Sequence, residues 1–293
     1  MGPDRILPAL GLEGAVCTPF VNRETGEDYA VWRVTCAGRD HVLKPAKEME
    51  LEVYTVLLRE AGPAAPRLYG TARAEGTDWL LLEYVPGEDL CRCTREKLTA
   101  AVDALADLQR RFWDRRDLDG VCCTLEKSLA ARAGWREWLN DPALEAAYGE
   151  YLRRYALLPR TLCHDDLLPF NVLAGGSRAV LIDWEVAGML PYPAPLARLL
   201  AHGTAEPDAL FFLTEEDREF ALWYYYDCLP RERGISWEDY RRDLDYFTLA
   251  EYCEWVMLGN RYSGDAEEGG RERFEHYDGL AKTLAARLNQ VQR

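Results

Sequence analysis

Three polar residues of the chain share the spacing H-x-D-x-x-x-x-N, and a fourth follows them closely. They are His164, Asp166 and Asn171, and Asp183 comes twelve residues after the asparagine, directly beyond the apolar run 179–182. Phosphoryl transfer needs one carboxylate to accept the proton of the attacking hydroxyl. It also needs an amide oxygen and a second carboxylate to hold metal ions on the nucleotide phosphates. The stretch therefore predicts a catalytic loop followed by a hairpin.

Each of these residues alone is weak evidence. An isolated aspartate in a loop is usually a turn former or a solvated charge, and an isolated histidine is usually a polar side chain with ordinary partners. The combination carries the interpretation, because base, amide and second carboxylate occur together, at suitable spacings, in a predicted strand-loop-strand segment.

Residues 164–173, HDDLLPFNVL, and 182–185, IDWE, resemble the catalytic and metal-binding motifs of the aminoglycoside phosphotransferase and choline kinase family. The resemblance implies an α+β, two-lobed, protein-kinase-like fold that binds ATP and Mg²⁺ between a small, mainly antiparallel β lobe and a larger, mainly helical lobe. It further implies that Asp166 is the base, that His164 braces the loop, and that Asn171 and Asp183 bind Mg²⁺.

Two positions depart from the family pattern. Asp165 stands where the family usually has glycine, so that a second carboxylate lies beside the expected base; the spacing to Asn171 favours Asp166 as the base. Pro195 stands where the family usually has an aspartate that supports the catalytic loop. In this chain that support must come from elsewhere.

A lysine near the N-terminus is a candidate phosphate ligand. Lys44 ends a predicted strand, and it is interpreted as the lysine that neutralises ATP phosphates; the alternative is a solvated strand terminus. Such a lysine needs a glutamate on the following helix, predicted over residues 47–60. Glu50 lies on the apolar stripe of that helix and is preferred, with Glu48 and Glu52 as rivals.

The predicted division is a nucleotide-binding lobe over residues 1–85 and a catalytic, acceptor-binding lobe over 86–293. Between them, a strand at 79–85 runs into a Pro-Gly hinge. The family resemblance implies that adenine binds to the carbonyl of Glu83 and the amide of Val85. A plain buried strand that ends in a turn fits these residues equally well.

The second lobe is predicted to be helical. The apolar spacing and the cap residues indicate helices over 94–113, 126–157 with a break at 140–142, 215–227, 237–258 and 271–291, and a loop over 259–270. No run of eighteen apolar residues occurs, so no membrane span is expected.

The amino-acid composition restricts the classes of partner that the protein is expected to bind. The net charge of −15 disfavours nucleic acids and anionic membranes, and it suits a cationic small molecule, although many enzymes are acidic for solubility alone. Nine cysteines without a regular framework favour reduced thiols and a cytoplasmic location.

The acceptor of the phosphoryl group stays open at this stage. The family resemblance allows aminoglycosides, amino sugars, choline or ethanolamine, homoserine and sugars. A small cationic hydroxyl acceptor is preferred because the resembling family includes many amine-bearing acceptors, the chain has a large acidic excess, and acidic positions occur on the predicted acceptor side, namely Glu251, Glu254, Asp265, Glu267 and Glu268. Stacking of a quaternary amine on Trp255 would favour a choline-like acceptor. A silent nucleotide-binding pseudokinase and a protein kinase are the alternatives.

Overall fold

The computed structural model describes residues 3–21, 26, 28–47, 49–262 and 268–291. The N-terminal part contains an antiparallel sheet in the strand order β1-β2-β3-β5-β4. Its strands are β1 Val16–Val21, β2 Asp28–Cys36, β3 Arg39–Pro45, β4 Leu68–Ala74 and β5 Thr77–Glu83. Strand β3 pairs with β2 on one side and β5 on the other, so Lys44 lies near the end of the central strand.

The segment after β3 differs from the single helix predicted over 47–60. It consists of three short turns, α1 Glu50–Glu52, a π-helical turn Val53–Leu57 and a 3₁₀ turn Leu58–Glu60. The prediction of one regular helix is wrong because local side-chain interactions disturb the regular α-helical geometry. Three β-branched residues fall in the π-helical turn, and the hydroxyl of Thr55 donates to the carbonyl of Leu51 at 2.7 Å, a side-chain bond that competes with regular helix.

The C-terminal part is mainly helical. Its helices are α2 Arg95–Phe112, α3 Leu125–Trp135, α4 Pro142–Leu157, α5 Ala194–Ala201, α6 Glu215–Cys228, α7 Trp237–Tyr262 and α8 Glu268–Val291. The predicted starts of α2 and α6 agree within one residue because side chains cap these helices: Thr94 accepts from the amide of Lys97, and Thr214 from that of Asp217. None of these described helices combines the length and hydropathy that a membrane span requires.

The predicted loop over 259–270 is largely wrong, because α7 continues to Tyr262 and α8 already begins at Glu268. These two long helices pack closely, since a side chain on Gly259 would overlap the ring of Phe274 on α8. Asp265 and Glu267 lie outside the described residues, and only the backbone of Glu268 is described.

Short strands frame the catalytic stretch. They are β6 Glu88–Asp89, β7 Arg160–His164, β8 Val172–Gly175, β9 Arg178–Leu181 and β10 Ala187–Pro191. Strands β8 and β9 form the predicted hairpin, with β6 beside β8, and β10 pairs antiparallel with β7. His164 therefore closes one strand, and Asp183 lies in the connection from β9 to β10.

Two buried clusters support this arrangement. The smaller lies within the N-terminal sheet and includes Val34, Leu43 and Trp79. The larger fills the helical part and extends under the sheet through Val53 and Leu57. An antiparallel sheet lobe packed on a helical lobe confirms the predicted α+β, two-lobed class, while the division at residues 85 and 86 stays a prediction.

We expect Gly188→Ala to destabilise the fold. Gly188 lies in β10, where an added Cβ would approach the carbonyl oxygen of Cys123 to 2.0 Å, so backbone must move. Overpacking of this kind costs about 1–3 kcal/mol, and each kcal/mol lowers the melting temperature by roughly 2–4 °C in chains of somewhat smaller size. Gly279→Ala on α8, where the added Cβ meets nothing within 4 Å, is the matched control. A thermal melt in which both variants behave alike would contradict the expectation.

Candidate active site

His164 lies beneath the catalytic loop and is fully buried. Its Nδ1 accepts from the amide of Asp166 at 3.3 Å, so Nε2 carries the proton and donates to the carbonyl of Ile182 at 2.7 Å. Burial lowers the pKa of His164, which keeps the imidazole neutral. The ring thus ties the start of the loop to the residue before Asp183, which fits a bracing role.

About a third of the Asp166 side chain is exposed. Its Oδ1 accepts two hydrogen bonds from Arg198, from Nη2 at 2.9 Å and from Nε at 3.2 Å. The same guanidinium donates to Glu251 at 2.7 Å and to Glu254 at 3.0 Å. Arg198 therefore joins the predicted base to two carboxylates of α7.

Sequence reasoning missed Arg198. It lies on α5, three residues after Pro195, and it is the single charged residue in the otherwise apolar helix Ala194–Ala201. A lone arginine in a buried helix needs a charged partner, and that signal was available in the sequence. Which carboxylates it meets depends on chain segments 32 and 53 residues away.

Asn171 and Asp183 occupy opposite ends of the hairpin that follows the loop. The side-chain amide of Asn171 donates to the carbonyl of Asp166 at 2.8 Å, which leaves its oxygen for another partner. The backbone carbonyl of Asn171 accepts from the amide of Ile182 at 2.9 Å and so brings Asp183 close. Asp183 has φ +62°, a left-handed conformation that is uncommon outside glycine and that concentrates at functional sites.

Lys44 connects the two lobes at the cleft. Its ammonium donates to Glu50 at 2.8 Å and to Asp183 at 2.6 Å, and Glu50 is completely buried. Of the three candidate glutamates, Glu50 makes the contact; Glu52 is exposed, and Glu48 lies outside the described residues.

The charges of Lys44, Glu50 and Asp183 depend on one another. Burial alone would lower the pKa of Lys44, but Glu50 and Asp183 outweigh it and raise that pKa. Burial also opposes ionisation of Asp183, yet the nearby ammonium of Lys44 lowers its pKa. In Glu50 the effect of burial is the larger one, so its pKa is raised. The lysine remains a cation between two carboxylates.

Glu83 and Val85, the predicted adenine-binding positions, lie where β5 leaves the small lobe. The amide of Glu83 donates to the carbonyl of Arg67 at 2.8 Å, and its carboxylate accepts from Arg178 of β9. Two residues beyond Val85, a side chain on Gly87 would come within 2.8 Å of the carbonyl oxygen of Ala174. The backbone of the predicted hinge therefore packs closely against the β8–β9 hairpin. Binding of adenine at Glu83 and Val85 stays a prediction.

Asp165, the carboxylate beside the predicted base, is already paired. Nη2 of Arg132 on α3 lies 2.8 Å from both of its oxygens, and only 14% of the Asp165 side chain is exposed. The structure therefore gives the two adjacent carboxylates different surroundings. Asp165 is tied to a helix of the large lobe, whereas Asp166 is about a third exposed and contacts Arg198 through Oδ1.

A sheet lobe, a helical lobe and a cleft that gathers Lys44, Asp166, Asn171 and Asp183 define a phosphotransferase of the protein-kinase-like class. The model of the phosphotransferase enzyme family matches residues 23–233, and the chain belongs to that family. The family predicted from the sequence is confirmed, and with it the prediction that the chain is a small-molecule kinase.

Solved structures share the fold at low sequence identity. An aminoglycoside-3'-phosphotransferase of type VIII is 24% identical with a TM-score of 0.57, over 85% of this chain and 97% of that one. A thermostable aminoglycoside phosphotransferase mutant in ternary complex with AMP-PNP and hygromycin B is 14% identical with a TM-score of 0.57, over 97% of each chain. Choline kinase from Cryptosporidium parvum is 15% identical with a TM-score of 0.60, over 93% and 90%. No curated protein matches the sequence.

We expect Lys44→Ala and Glu50→Ala to impair turnover through one shared interaction. Glu50 acts by holding Lys44, so once the lysine is gone the glutamate has little left to contribute. Losses from residues that act as a unit are not additive, and the double variant should be little worse than Lys44→Ala. Steady-state kinetics of the three variants test this. Fully additive losses would show that Glu50 acts independently of the lysine.

Proposed function

We propose that the protein transfers the γ-phosphoryl group of ATP to a hydroxyl group of a small, positively charged molecule of the aminoglycoside or amino sugar type. The observation that carries the proposal is the surroundings of Asp166. Arg198 links this predicted base to Glu251 and to the half-exposed Glu254, so an acceptor that offers a hydroxyl to Asp166 meets the carboxylate of Glu254 near it.

The reaction follows from this placement. The acceptor oxygen attacks the γ-phosphorus while its proton passes to Asp166, and the bond to the bridging oxygen of ADP breaks. Because Arg198 occupies Oδ1, the other carboxylate oxygen is the one available to the hydroxyl. Lys44 supplies positive charge for the phosphates. Positioning and electrostatics carry most of the catalysis in such a loose transition state.

The donor set fits Mg²⁺. The Asn171 amide oxygen and the Asp183 carboxylate are hard oxygen ligands, and Mg²⁺ commonly uses one or two protein oxygens together with substrate phosphates. In Asn171 the nitrogen is engaged with the carbonyl of Asp166, which leaves the oxygen for the ion. In Asp183 one oxygen contacts Lys44, and about a third of the side chain is exposed. Mg²⁺ would neutralise charge on the nucleotide phosphates.

In the ion pairs around Asp165 and Asp166, carboxylates outnumber arginines. Asp165, Asp166, Glu251 and Glu254 are matched there by two arginines, Arg132 and Arg198. Half of the Glu254 side chain is exposed, so it can meet an ammonium group directly. Although burial opposes ionisation of Glu251, Arg198 outweighs it and lowers its pKa to about 2, whereas burial and the neighbouring charge of Glu251 raise the pKa of Glu254. An acceptor with several ammonium groups would complement this excess of carboxylates.

The aromatic residue predicted to receive a quaternary amine already has neighbours. Tyr277 stacks on Trp255 with ring centroids 5.6 Å apart, and the guanidinium of Arg273 lies 5.0 Å from the same ring. A choline-like cation would compete with both groups for the indole. Carboxylate contacts without an open aromatic cage favour amine-rich sugars over choline.

A panel assay tests the acceptor. ATP consumption and product mass should be measured with hygromycin B, kanamycin A, glucosamine, choline, ethanolamine, homoserine and glucose. The amine-bearing sugars should give the highest kcat/KM, and their kcat/KM should fall as salt rises, since charges are screened beyond about 8 Å at physiological ionic strength. A neutral preferred acceptor with salt-independent kinetics would contradict the charge assignment. No transfer to any compound, together with intact nucleotide binding, would favour a silent nucleotide-binding protein.

A further inference from the structure

The guanidinium of Arg132 is fixed by polar contacts in three directions. Its Nε donates to the hydroxyl of Tyr151 at 2.9 Å, Nη1 donates to Ser128, and Nη2 lies 2.8 Å from both oxygens of Asp165. The plane lies over the ring of Tyr155, with the guanidinium carbon 4.9 Å from the centroid. Few surface arginines are restrained in this way, because a solvated ion pair leaves both side chains mobile.

The partners of Arg132 come from two helices that meet beside the loop. Ser128 is one turn earlier on α3, and Tyr151 and Tyr155 are one turn apart on α4. Ser128 is also within 2.8 Å of the hydroxyl of Tyr155. Both helices therefore orient the guanidinium independently of the loop, and Asp165 meets a cation that is already in place.

The loop is held at both residues of the Asp165–Asp166 peptide. The amide of Asp165 donates to the carbonyl of Val186 at 2.9 Å, and its side chain is bound to Arg132. The amide of Asp166 is bound to His164. Contacts on each side of one peptide bond restrict where the following carboxylate can point.

We propose that Arg132 and Asp165 are a positioning pair that sets the orientation of Asp166. This inference rests on the proposed function in one respect, that Asp166 is the base. The pair touches neither nucleotide nor acceptor hydroxyl in this proposal; it acts through the loop backbone. A displacement of about 1 Å at a reacting group can cost on the order of 10²-fold in rate, so such a support affects turnover directly.

Removing one member should be worse than removing both. Asp165→Asn leaves the cation of Arg132 without its partner in a confined site, and this guanidinium then attracts Asp166 or Glu254 out of place. An uncompensated charge of this kind is costly, whereas neutralising both partners is often tolerated. The double variant Asp165→Asn with Arg132→Gln should therefore regain part of the activity lost in Asp165→Asn.

A double-mutant cycle tests the pair in the full chain. The wild type, Arg132→Gln, Asp165→Asn and the double variant are compared with Mg²⁺-ATP and the best acceptor from the panel. We expect kcat of Asp165→Asn to fall on the order of 10- to 100-fold, with AMP-PNP affinity changed by less than about twofold. A merely structural role would lower stability and AMP-PNP binding together with kcat. The control is Arg271→Gln with Glu275→Gln, an exposed ion pair on α8 that should leave all readouts unchanged.

Two results would contradict the proposal that Arg132 and Asp165 position Asp166. One is an equal kcat for Asp165→Asn and the wild type, and the other is a loss of kcat in the double variant that equals the combined losses of the two single variants. The acceptor proposal fails separately, if the wild type phosphorylates no compound of the panel. In that case the same four proteins are compared by slow ATP hydrolysis, with water in place of the acceptor. The same order of rates would then support the pair, and equal rates would overturn it.

Discussion

Asp166→Asn should lower kcat by roughly 10²- to 10⁴-fold while AMP-PNP binding in the presence of Mg²⁺ stays near that of the wild type. A positioned general base contributes about that much to proton transfer, and an amide cannot accept the proton. Asparagine keeps the size of the side chain and an oxygen for Arg198, which holds that position at 2.9 Å. The loss would then report on chemistry and not on packing. Single-turnover rates and nucleotide affinity measured side by side check it.

The neighbouring carboxylate provides the control for this result. The double variant Arg132→Gln with Asp165→Asn removes the charge at 165 without leaving an unpaired cation. If Asp166 is the base, this double variant should remain far more active than Asp166→Asn. A double variant that is inactive while Asp166→Asn turns over would show that the H-x-D-x-x-x-x-N spacing points to the wrong carboxylate.

Asp183→Asn should lower kcat by about 10²-fold or more and raise the Mg²⁺ concentration needed for half-maximal rate. A metal ion contributes several kcal/mol of charge stabilisation in such reactions, and each 1.36 kcal/mol is about tenfold in rate. Asparagine is chosen because it tolerates the left-handed backbone, with φ +62° in Asp183, better than alanine does. The substitution therefore removes charge without adding backbone strain.

Asn171→Ala is the comparison for the metal assignment. It removes a neutral ligand and the bond to the carbonyl of Asp166, so its Mg²⁺ requirement should rise less than that of Asp183→Asn. Titrations of ATP turnover against Mg²⁺ at fixed ATP measure both. Unchanged Mg²⁺ dependence in the two variants would contradict the assignment of Asn171 and Asp183 as metal ligands.

The sequence alone determined the parts of this protein that depend on local spacing. The His164–Asp166–Asn171 pattern and the position of Asp183 beyond a hairpin led to the correct family, because a loop and a hairpin keep these residues at fixed separations. Helix starts were also determined locally, since a cap such as Thr94 satisfies amides only three residues away. The apolar stripe favoured Glu50 as the partner of Lys44 because it showed which face turns inward, and the two side chains are 2.8 Å apart.

Only the tertiary structure decided what surrounds the catalytic loop. Arg132 binds Asp165, which is 33 residues away in the chain, and Arg198 binds Glu251, which is 53 residues away. No pattern in the sequence indicates which of the 50 acidic residues is the partner of each arginine. The packing of the helices determines these partners, because a buried guanidinium is stable only beside carboxylates that neighbouring segments bring close to it. The left-handed backbone of Asp183 was decided in the same way, by contacts that hold the residue in a conformation its own preferences disfavour.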